Sequence, residues 1–310
     1  MRNAFADEIV KLAATDPRIV LLSGDIGNRL FDPYKKQFPE RFYNCGVAEA
    51  NMASVAAGLA LSGLRPITYT IAPFNTTRCL EQIRNDICYH QAPVLIIGTG
   101  AGLSYASLGC THHSCEDISF LRSIPNMTVL CPADSMELRS LLREALKLDR
   151  PAYMRIGKAG EPVIHSAPPA LCIGKGSIVR KGSDLCIFST GNMLAIASEV
   201  CDLLEAANVA AELVSMHTVK PLDKELLESA SSRFSLLATL EEHSLIGGLG
   251  SSICEWLVDR AINVKCLRFG TQDYFPHPIG SQTYIRNLFG LNPQSIANQI
   301  LRNMSLSYAN

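Results

Sequence analysis

The sequence has no excess charge of either sign. Its 310 residues include 28 Lys and Arg against 29 Asp and Glu, for a net charge of −1, so no overall field attracts nucleic acid or an anionic membrane surface. Charged residues are also scarce, at 18% against about 25% in typical globular domains. With 47% hydrophobic residues, this composition excludes a disordered chain and predicts that another subunit covers much of the surface.

Signals for export or membrane insertion are missing as well. The first segment, MRNAFADEIVKLAATDPR, carries charges throughout and lacks the apolar core of a signal peptide. No apolar run approaches the roughly 20 residues of a membrane span. The eleven cysteines are odd in number, lie scattered in apolar runs and form no CxxC pair. Reduced thiols in a cytoplasmic protein are the simplest interpretation.

Three familiar motifs are absent or incomplete. The segment GTGAGL (98–103) follows a predicted strand, but it lacks the third glycine of a dinucleotide-binding fingerprint and the acidic residue that should follow. The segment CTHHSC (110–115) packs its cysteines and histidines too closely for the two separated ligand pairs of a usual zinc site. No GxSxG elbow occurs. We therefore set nicotinamide, metal and serine-hydrolase sites aside.

Short apolar runs alternate with helical patterns along the whole chain. Such runs predict a parallel sheet covered on both faces, and hence two doubly wound α/β domains. A Pro-, Ser- and Ala-rich stretch at 161–176 predicts a linker, which divides the chain into domains 1–170 and 171–310. The predicted strands are Ile19–Asp25, Pro66–Ile71, Val94–Gly100, Thr128–Pro132, Ala152–Gly157, Asp184–Thr190, Ala211–Ser215, Leu236–Glu241 and Lys265–Phe269.

Glu49 is the most informative single residue. It lies at a predicted loop-to-helix junction, in an otherwise apolar helix start. An isolated Glu there is most simply explained as an anion favoured by the helix N-terminus. The small residues that follow at 56–60 indicate a helix that packs closely against a neighbour. The surrounding sequence therefore favours a functional role for this carboxylate.

Four segments, in order, resemble the transketolase family. NCGVAEANMASVAAGLALSGLRPI resembles the glutamate segment of the pyrimidine-binding domain, and TIAPFNTTRCLEQIRND resembles the aromatic and arginine-containing helix that follows it. LGCTHHSCEDISFLRSIPNMTVLCPAD resembles the family's histidine loop with its next helix and strand. LEEHSLIGGLGSSICE resembles the C-terminal domain. The resemblance implies a pyrimidine-binding fold followed by a transketolase C-terminal-like domain.

The resemblance also shows what this sequence does not contain. The family binds the diphosphate of thiamine diphosphate, through Mg²⁺ or Ca²⁺, with a GDG…N motif on a separate N-terminal domain. This chain has only SGDIG at 23–27, which is not that motif. The chain thus resembles the C-terminal subunit of a split transketolase. An N-terminal subunit would carry the diphosphate and metal ligands, and the assembly would be an α2β2 heterotetramer.

The resemblance assigns four residues to the cofactor. Glu49 would hydrogen-bond N1′ of the aminopyrimidine and favour the imino tautomer that takes the C2 proton. Phe74 would stack on the pyrimidine ring, with a core phenylalanine as the alternative. Asp25 would lie at the cofactor cleft, with a helix N-cap as the alternative. Arg78 belongs to the same cofactor-binding segment as Phe74.

Five residues are implied in substrate binding. His112 would contact the hydroxyl or carbonyl oxygen near C1–C2 of the sugar and act catalytically, stabilising an alkoxide and moving a proton. His113 replaces the more usual Gln as a second polar contact. Arg2 and Arg155 match arginines that hold the sugar phosphate, and Arg29 would serve the same anion. A solvated surface position is the alternative for each arginine.

Two departures from the family pattern concern substrate choice. Leu108 stands where relatives have an Asp that recognises a substrate hydroxyl, and glycines occupy the strand end near Gly98 where transketolases have a His. We therefore expect a transketolase that transfers a two-carbon ketol unit from a ketose to an aldose, with sugar phosphates or an unusual anionic sugar as substrates. The alternatives are a deoxyxylulose-phosphate-synthase-like or other thiamine-dependent transferase subunit, and a non-catalytic scaffold subunit.

Overall fold

The computed structural model describes residues 1–27 and 29–305, which fold into two α/β domains with mostly parallel sheets. The first domain contains strands β1 (Ile19–Ser23), β2 (Phe42–Asn44), β3 (Arg65–Ile71), β4 (Leu95–Thr99), β5 (Thr128–Leu130) and β6 (Ala152–Ile156). Its helices are α1 (Arg2–Thr15), α2 (Asp32–Gln37), α3 (Glu49–Leu61), α4 (Leu80–Gln82) with the π-helix Ile83–Tyr89, α5 (Asp117–Ser123) and α6 (Ser135–Ala145).

The first sheet buries both of its faces. Alternate residues of β1 enter different hydrophobic clusters: Val20 and Leu22 pack with α3 and the π-helix, whereas Ile19 and Leu21 pack with α1 and α6. This explains why the strands read as continuous apolar runs. The strand order is β5-β6-β4-β3-β1-β2, all parallel, and the chain reverses its direction across the sheet between β1 and β3. In such sheets ligands bind at this reversal, outside the carboxyl ends of the strands.

The second domain repeats the pattern on a smaller sheet. Its strands are β7 (Ser177–Arg180), β8 (Leu185–Ser189), β9 (Ala211–Ser215), β10 (Thr218–Lys220), β11 (Leu236–Ser244) and β12 (Lys265–Thr271). Its helices are α7 (Leu194–Ala206), α8 (Lys224–Arg233), α9 (Leu249–Asp259), α10 (Gln282–Leu288) and α11 (Pro293–Ser305). Five of these strands form a sheet in the order β12-β11-β8-β9-β7.

The two domains share structure. Strand β10 belongs to the second half of the chain, but it pairs antiparallel with β5 at the edge of the first sheet. One hydrophobic cluster contains residues of both domains, including Val129 of β5 and Phe188 of β8. The loop between β4 and α5, which carries His112 and His113 and is called the histidine loop below, also contacts β11: the Leu103 amide donates to Glu242 Oε1 at 2.7 Å, and the Ser244 amide donates to the Cys115 carbonyl at 2.7 Å.

All nine predicted strands are present, with ends that differ by a few residues at most. The stretch 161–176 forms no helix or strand, as predicted. The domain boundary at residue 170 stays a prediction. Three short strands were not predicted: β2, β7 and β10. Each has three or four residues, too few for a periodic pattern to emerge.

Candidate active site

Glu49 is a buried carboxylate at the first turn of α3. Only 4% of its surface is exposed. The backbone of Gly24, just after β1, approaches it closely. A Cβ atom on Gly24 would lie 2.8 Å from Thr70 Oγ1 and 3.7 Å from Glu49 Oε1. Gly24 thus keeps a small space beside the carboxylate that any side chain there would fill.

A chain of contacts joins Glu49 to three other predicted residues. Arg78 Nη1 donates to Glu49 Oε2 at 2.7 Å, and the Arg78 guanidinium stacks over the Phe74 ring at 4.2 Å. The Phe74 ring meets His112 edge-on, with 5.3 Å between ring centroids. Residues from α3, from the loop after β3 and from the histidine loop therefore converge at one place. It is the sheet edge at which the topology predicts a ligand.

Two residues that sequence reasoning missed extend this chain. The Tyr105 ring lies 6.0 Å from His112, and Lys158 Nζ lies 4.5 Å from the centre of the Tyr105 ring. Lys158 follows the carboxyl end of β6 by two residues, so its position at the edge of the sheet could have been inferred from the strand prediction. Lys158 and His112 thus both contact the Tyr105 ring.

Asp25 lies on the loop beside Glu49. Its carboxylate accepts a hydrogen bond from Asn44 Nδ2 at 3.1 Å, and Asn44 Oδ1 accepts one from the Gly46 amide at 2.8 Å. The nearest following helix, α2, begins only at Asp32, so Asp25 is not its N-cap. These contacts hold the loop that leads into α3 and leave Asp25 exposed.

Arg2 and Arg29 line one open cavity of about 810 Å³ on the α1 side of this loop. Gly27 and Leu30 contribute to the same wall, and Gln37 of α2 adds a further polar group. The buried Nε of Arg2 has no hydrogen-bond partner among the described residues. An unpaired buried N–H is costly, so Arg2 favours an anionic or strongly polar ligand. Asp7 also lines the cavity, and its carboxylate pairs with Lys11 and Arg139.

Arg155 does not reach the cleft, which corrects the prediction of a phosphate contact. Its side chain is 2% exposed. Its Nε donates to both carboxylate oxygens of Asp117 at 3.0 and 2.9 Å, and its Nη2 donates to the carbonyls of Ser114 and Glu242 at 2.7 Å. These buried partners hold the guanidinium inside the protein. Arg155 instead joins the histidine loop to β11.

His113 faces a different space from His112. It lines a cavity of about 190 Å³ between the two domains, together with Tyr274 and Phe289. Burial lowers the pKa of His113, and its buried Nε2 has no hydrogen-bond partner in the described part of the chain. The structure therefore separates the two adjacent histidines. We do not retain His113 as a substrate contact.

In the glycine-rich segment 98–103, Gly98 and Gly100 leave room for aromatic side chains to pack closely. A Cβ on Gly98 would lie 2.5 Å from the Tyr153 hydroxyl, and a Cβ on Gly100 would lie 2.0 Å from the Tyr105 ring. Gly100 also has a φ of +81°, which favours glycine. These glycines admit the Tyr153 and Tyr105 rings. Leu108 is 49% exposed at the rim of the histidine loop.

Within residues 1–27 and 29–305, no cluster of three or more His, Cys, Asp or Glu side chains is arranged to hold a metal ion. None of the helices described there has the length and apolar character needed to cross a bilayer.

The chain is a two-domain α/β protein whose candidate ligand site contains the buried Glu49. Two family models match it: the transketolase pyrimidine-binding domain over residues 1–160 and the transketolase C-terminal domain over residues 174–296. The chain belongs to the transketolase family, which confirms the resemblance and the fold predicted from sequence.

Individual relatives show how the chain compares in length. It is 35% identical to a 6-deoxy-6-sulfo-D-fructose transketolase subunit of Clostridium sp. (strain MSTE9), over 96% of this chain and 92% of that protein. It is 35% identical to a 1-deoxy-D-xylulose-5-phosphate synthase of Heliobacterium modesticaldum, of which it spans 46%. A split-gene transketolase solved as an inactive β4 tetramer superposes with a TM-score of 0.91 at 34% identity, over 98% of both chains.

Proposed function

We propose that this chain is one subunit of a two-component, thiamine diphosphate-dependent transketolase. The observation that supports this most is the contact chain Glu49–Arg78–Phe74–His112, which joins the predicted cofactor residues to the predicted catalytic histidine. The lengths of the relatives agree, because the chain matches nearly all of a separate transketolase subunit and about half of a single-chain synthase.

The residues present fit the pyrimidine end of thiamine diphosphate. When bound, the cofactor supplies a centre that stabilises a carbanion. The Glu49 carboxyl is suited to share a proton with a ring nitrogen, because it lies in a buried site beside the space that Gly24 leaves open. Phe74 offers a ring face to an aromatic group, and Asp25 offers a carboxylate at the mouth. Ligands for Mg²⁺ or Ca²⁺ and for the diphosphate are assigned to the partner subunit.

The chemistry is the transfer of a two-carbon ketol unit from a ketose to an aldose. In this proposal, His112 would bind the substrate oxygen near C1–C2 and move a proton there. Besides Arg78, which pairs with Glu49, we propose that Arg2, Arg29 and Lys158 hold the anionic end of the sugar. A phosphate or a sulfonate would satisfy the same donors.

Removing one of these cations should weaken binding of anionic sugars selectively. We expect Arg29→Ala and Lys158→Ala each to raise KM for a phosphorylated ketose about tenfold or more, because a hydrogen bond to a charged group contributes roughly 1.5–3 kcal/mol. KM for a non-phosphorylated ketose should change little. Steady-state kinetics of the assembled enzyme measures both, with Lys36→Ala, an exposed lysine on α2, as the matched control. Equal increases for both sugars would contradict the assignment.

The surface of α3 supports a partner subunit. Val47, just before α3, is 81% exposed, and Val55 and Leu61 of α3 are 43% and 60% exposed. Exposed large apolar side chains on one element support an interface there. Of the small residues at 56–60, Gly58 is exposed on this side of the helix, whereas Ala56, Ala57 and Ala60 pack in the core of this chain. We propose that this surface lies in an α2β2 heterotetramer with the N-terminal, diphosphate-binding subunit.

Reconstitution tests the proposal directly. By itself, the purified chain should bind thiamine diphosphate and Mg²⁺ weakly in calorimetry, because half of the site is missing. After mixing with the diphosphate-binding subunit, light scattering should report α2β2 and ketol transfer should begin. Tight cofactor binding by the chain alone would contradict the split assembly, and a stable αβ heterodimer would contradict the tetramer. An inactive complex would favour the scaffold alternative.

A deoxyxylulose-phosphate-synthase-like activity is the second candidate, because the chain is 35% identical to one such enzyme over 95% of its own length. The same reconstituted complex distinguishes the two. Release of CO₂ from pyruvate with an aldose phosphate acceptor would favour the synthase. Transfer from a ketose without CO₂ would favour the transketolase.

A further inference from the structure

Glu242, on strand β11 of the second domain, is a fully buried carboxylate that has no part in the chemistry proposed above. Its Oε1 accepts hydrogen bonds from the Leu103 amide at 2.7 Å and from Gln282 Nε2 at 2.8 Å. Asn192 Nδ2 donates to the same oxygen at 3.3 Å, and the Arg286 guanidinium pairs with Oε2. This one side chain therefore joins the histidine loop to β11, to the turn after β8 and to α10.

The contact with Leu103 lies at the base of the histidine loop. Gly102 and Ser114 close that base with two backbone hydrogen bonds, of 3.1 Å from the Gly102 amide and 2.9 Å from the Ser114 amide. A Cβ atom on Gly102 would lie 2.5 Å from Glu242 Oε1, so the carboxylate lies directly against the backbone there. Leu103 and Ala106 are buried in the hydrophobic cluster of the second domain. The second domain therefore holds the first part of the loop.

The same loop carries His112 to the cleft. His112 ends the turn Cys110–His112, and its ring lies 5.3 Å from the Phe74 ring and 6.0 Å from the Tyr105 ring, between centroids. In this turn the Cys110 thiol donates to the Pro276 carbonyl, again in the second domain, at 3.1 Å. Ring contacts are weaker than hydrogen bonds to a charged group. The position of the imidazole therefore depends on where the second domain holds the loop.

We propose that Glu242 is a positioning residue for His112. Its carboxylate fixes Leu103 at the base of the histidine loop and thereby fixes the place of the imidazole in the cleft. An ionised acceptor suits this task, because hydrogen bonds to a charged group are roughly twice as strong as neutral ones. The proposal rests on the role that the proposed function gives to His112. It gives the second domain a part in the activity, although Glu49, Phe74 and His112 all belong to the first.

Kinetics of the assembled enzyme test whether Glu242 acts through His112. Glu242→Gln keeps the shape of the side chain and removes its charge. We expect kcat to fall about tenfold with little change in KM for the ketose, because a displacement of about 1 Å caused away from the reacting atoms can cost about 100-fold. In a His112→Ala chain the same substitution should lower kcat less than about twofold, since no imidazole remains to be displaced.

Two kinetic outcomes overturn the proposal in different ways. If the losses of Glu242→Gln and His112→Ala multiply in the double variant, Glu242 acts independently of His112 and the positioning role is wrong. If His112→Ala alone keeps full activity, the role of His112 in the proposed function is wrong, and the positioning role falls with it.

Amide hydrogen exchange of the full chain provides a readout that needs no activity. Glu242→Gln should speed exchange across 103–113, because the loop loses its charged acceptor. Glu241 is equally buried, but its carboxylate accepts from the Leu249 and Gly250 amides at 2.7 and 2.9 Å, inside the second domain. Glu241→Gln is therefore the matched control, and it should leave both kcat and exchange at 103–113 unchanged. Unchanged exchange in Glu242→Gln, or equal acceleration in Glu241→Gln, would contradict the proposal.

A milder variant decides the matter if Glu242→Gln does not fold. Gln282 is half-buried on α10, and its Nε2 donates to both carboxylate oxygens at 2.8 and 3.0 Å. Gln282→Ala should lower kcat about threefold, the effect of one hydrogen bond, and should speed exchange at 103–113. Parent-like kcat and exchange in this variant would count against Glu242 as the residue that positions the loop.

Discussion

Replacing Glu49 by Gln is expected to lower turnover of the assembled enzyme by at least ~100-fold, at the lower end of what acid–base groups supply. The substitution keeps the size of the side chain and its place at the start of α3. It removes the carboxyl that is proposed to share a proton with the aminopyrimidine. It also ends the ion pair with Arg78, whose Nη1 lies 2.7 Å from Glu49 Oε2.

Two measurements separate this loss from a folding defect. Glu49→Gln should still bind the partner subunit, and its melting temperature should stay close to that of the parent chain, because an amide fits the same buried space. Glu40→Gln, at an exposed glutamate before β2, is the matched control and should keep full activity. Near-normal turnover of Glu49→Gln with cofactor bound would show that the assignment is wrong.

Much of the fold could be predicted from the sequence because each sheet is built of continuous apolar strands. The five predicted strands of the first domain all occur, and parallel strands place their carboxyl ends at one edge. Glu49, Phe74, Arg78 and His112 meet near that edge. Strand β10 could not be predicted, since it pairs with β5 across a long stretch of chain and local periodicity carries no such information.

The sequence alone did not show which basic side chain near the end of β6 reaches the site. Arg155 and Lys158 are three positions apart, at the end of a strand predicted to run to Gly157. The strand ends at Ile156, so Arg155 lies within the sheet and Lys158 beyond it. The resemblance implies a phosphate contact for Arg155, because it matches an arginine that holds the sugar phosphate in the family. Its burial depends on Asp117, Ser114 and Glu242, which only the folded chain brings together.

The same buried contacts predict a second large effect. Arg155 and Asp117 are each about 1% exposed in their side chains, with 2.9 Å between Nε and Oδ2, and the Tyr153 hydroxyl donates to Asp117 Oδ2 at 2.5 Å. Removing one partner of such a pair leaves an uncompensated buried charge and costs about 3–5 kcal/mol. In addition, loss of the Arg155 Nη2 donor leaves the Ser114 and Glu242 carbonyls without this link between the domains.

Arg155→Met is therefore expected to lower the free energy of unfolding by about 3–5 kcal/mol, measured by urea denaturation of the full chain. Asp117→Asn keeps the shape of its side chain but leaves the Arg155 charge unpaired, and it should lose a comparable amount. Because both variants break the same pair, the double variant should lose clearly less than the sum of the two. Arg150→Met, at an exposed arginine before β6, should change stability by less than about 0.5 kcal/mol. The assignment is wrong if Arg155→Met lowers the free energy of unfolding no more than Arg150→Met does and also raises KM for sugar phosphates. Arg155 would then contact the substrate.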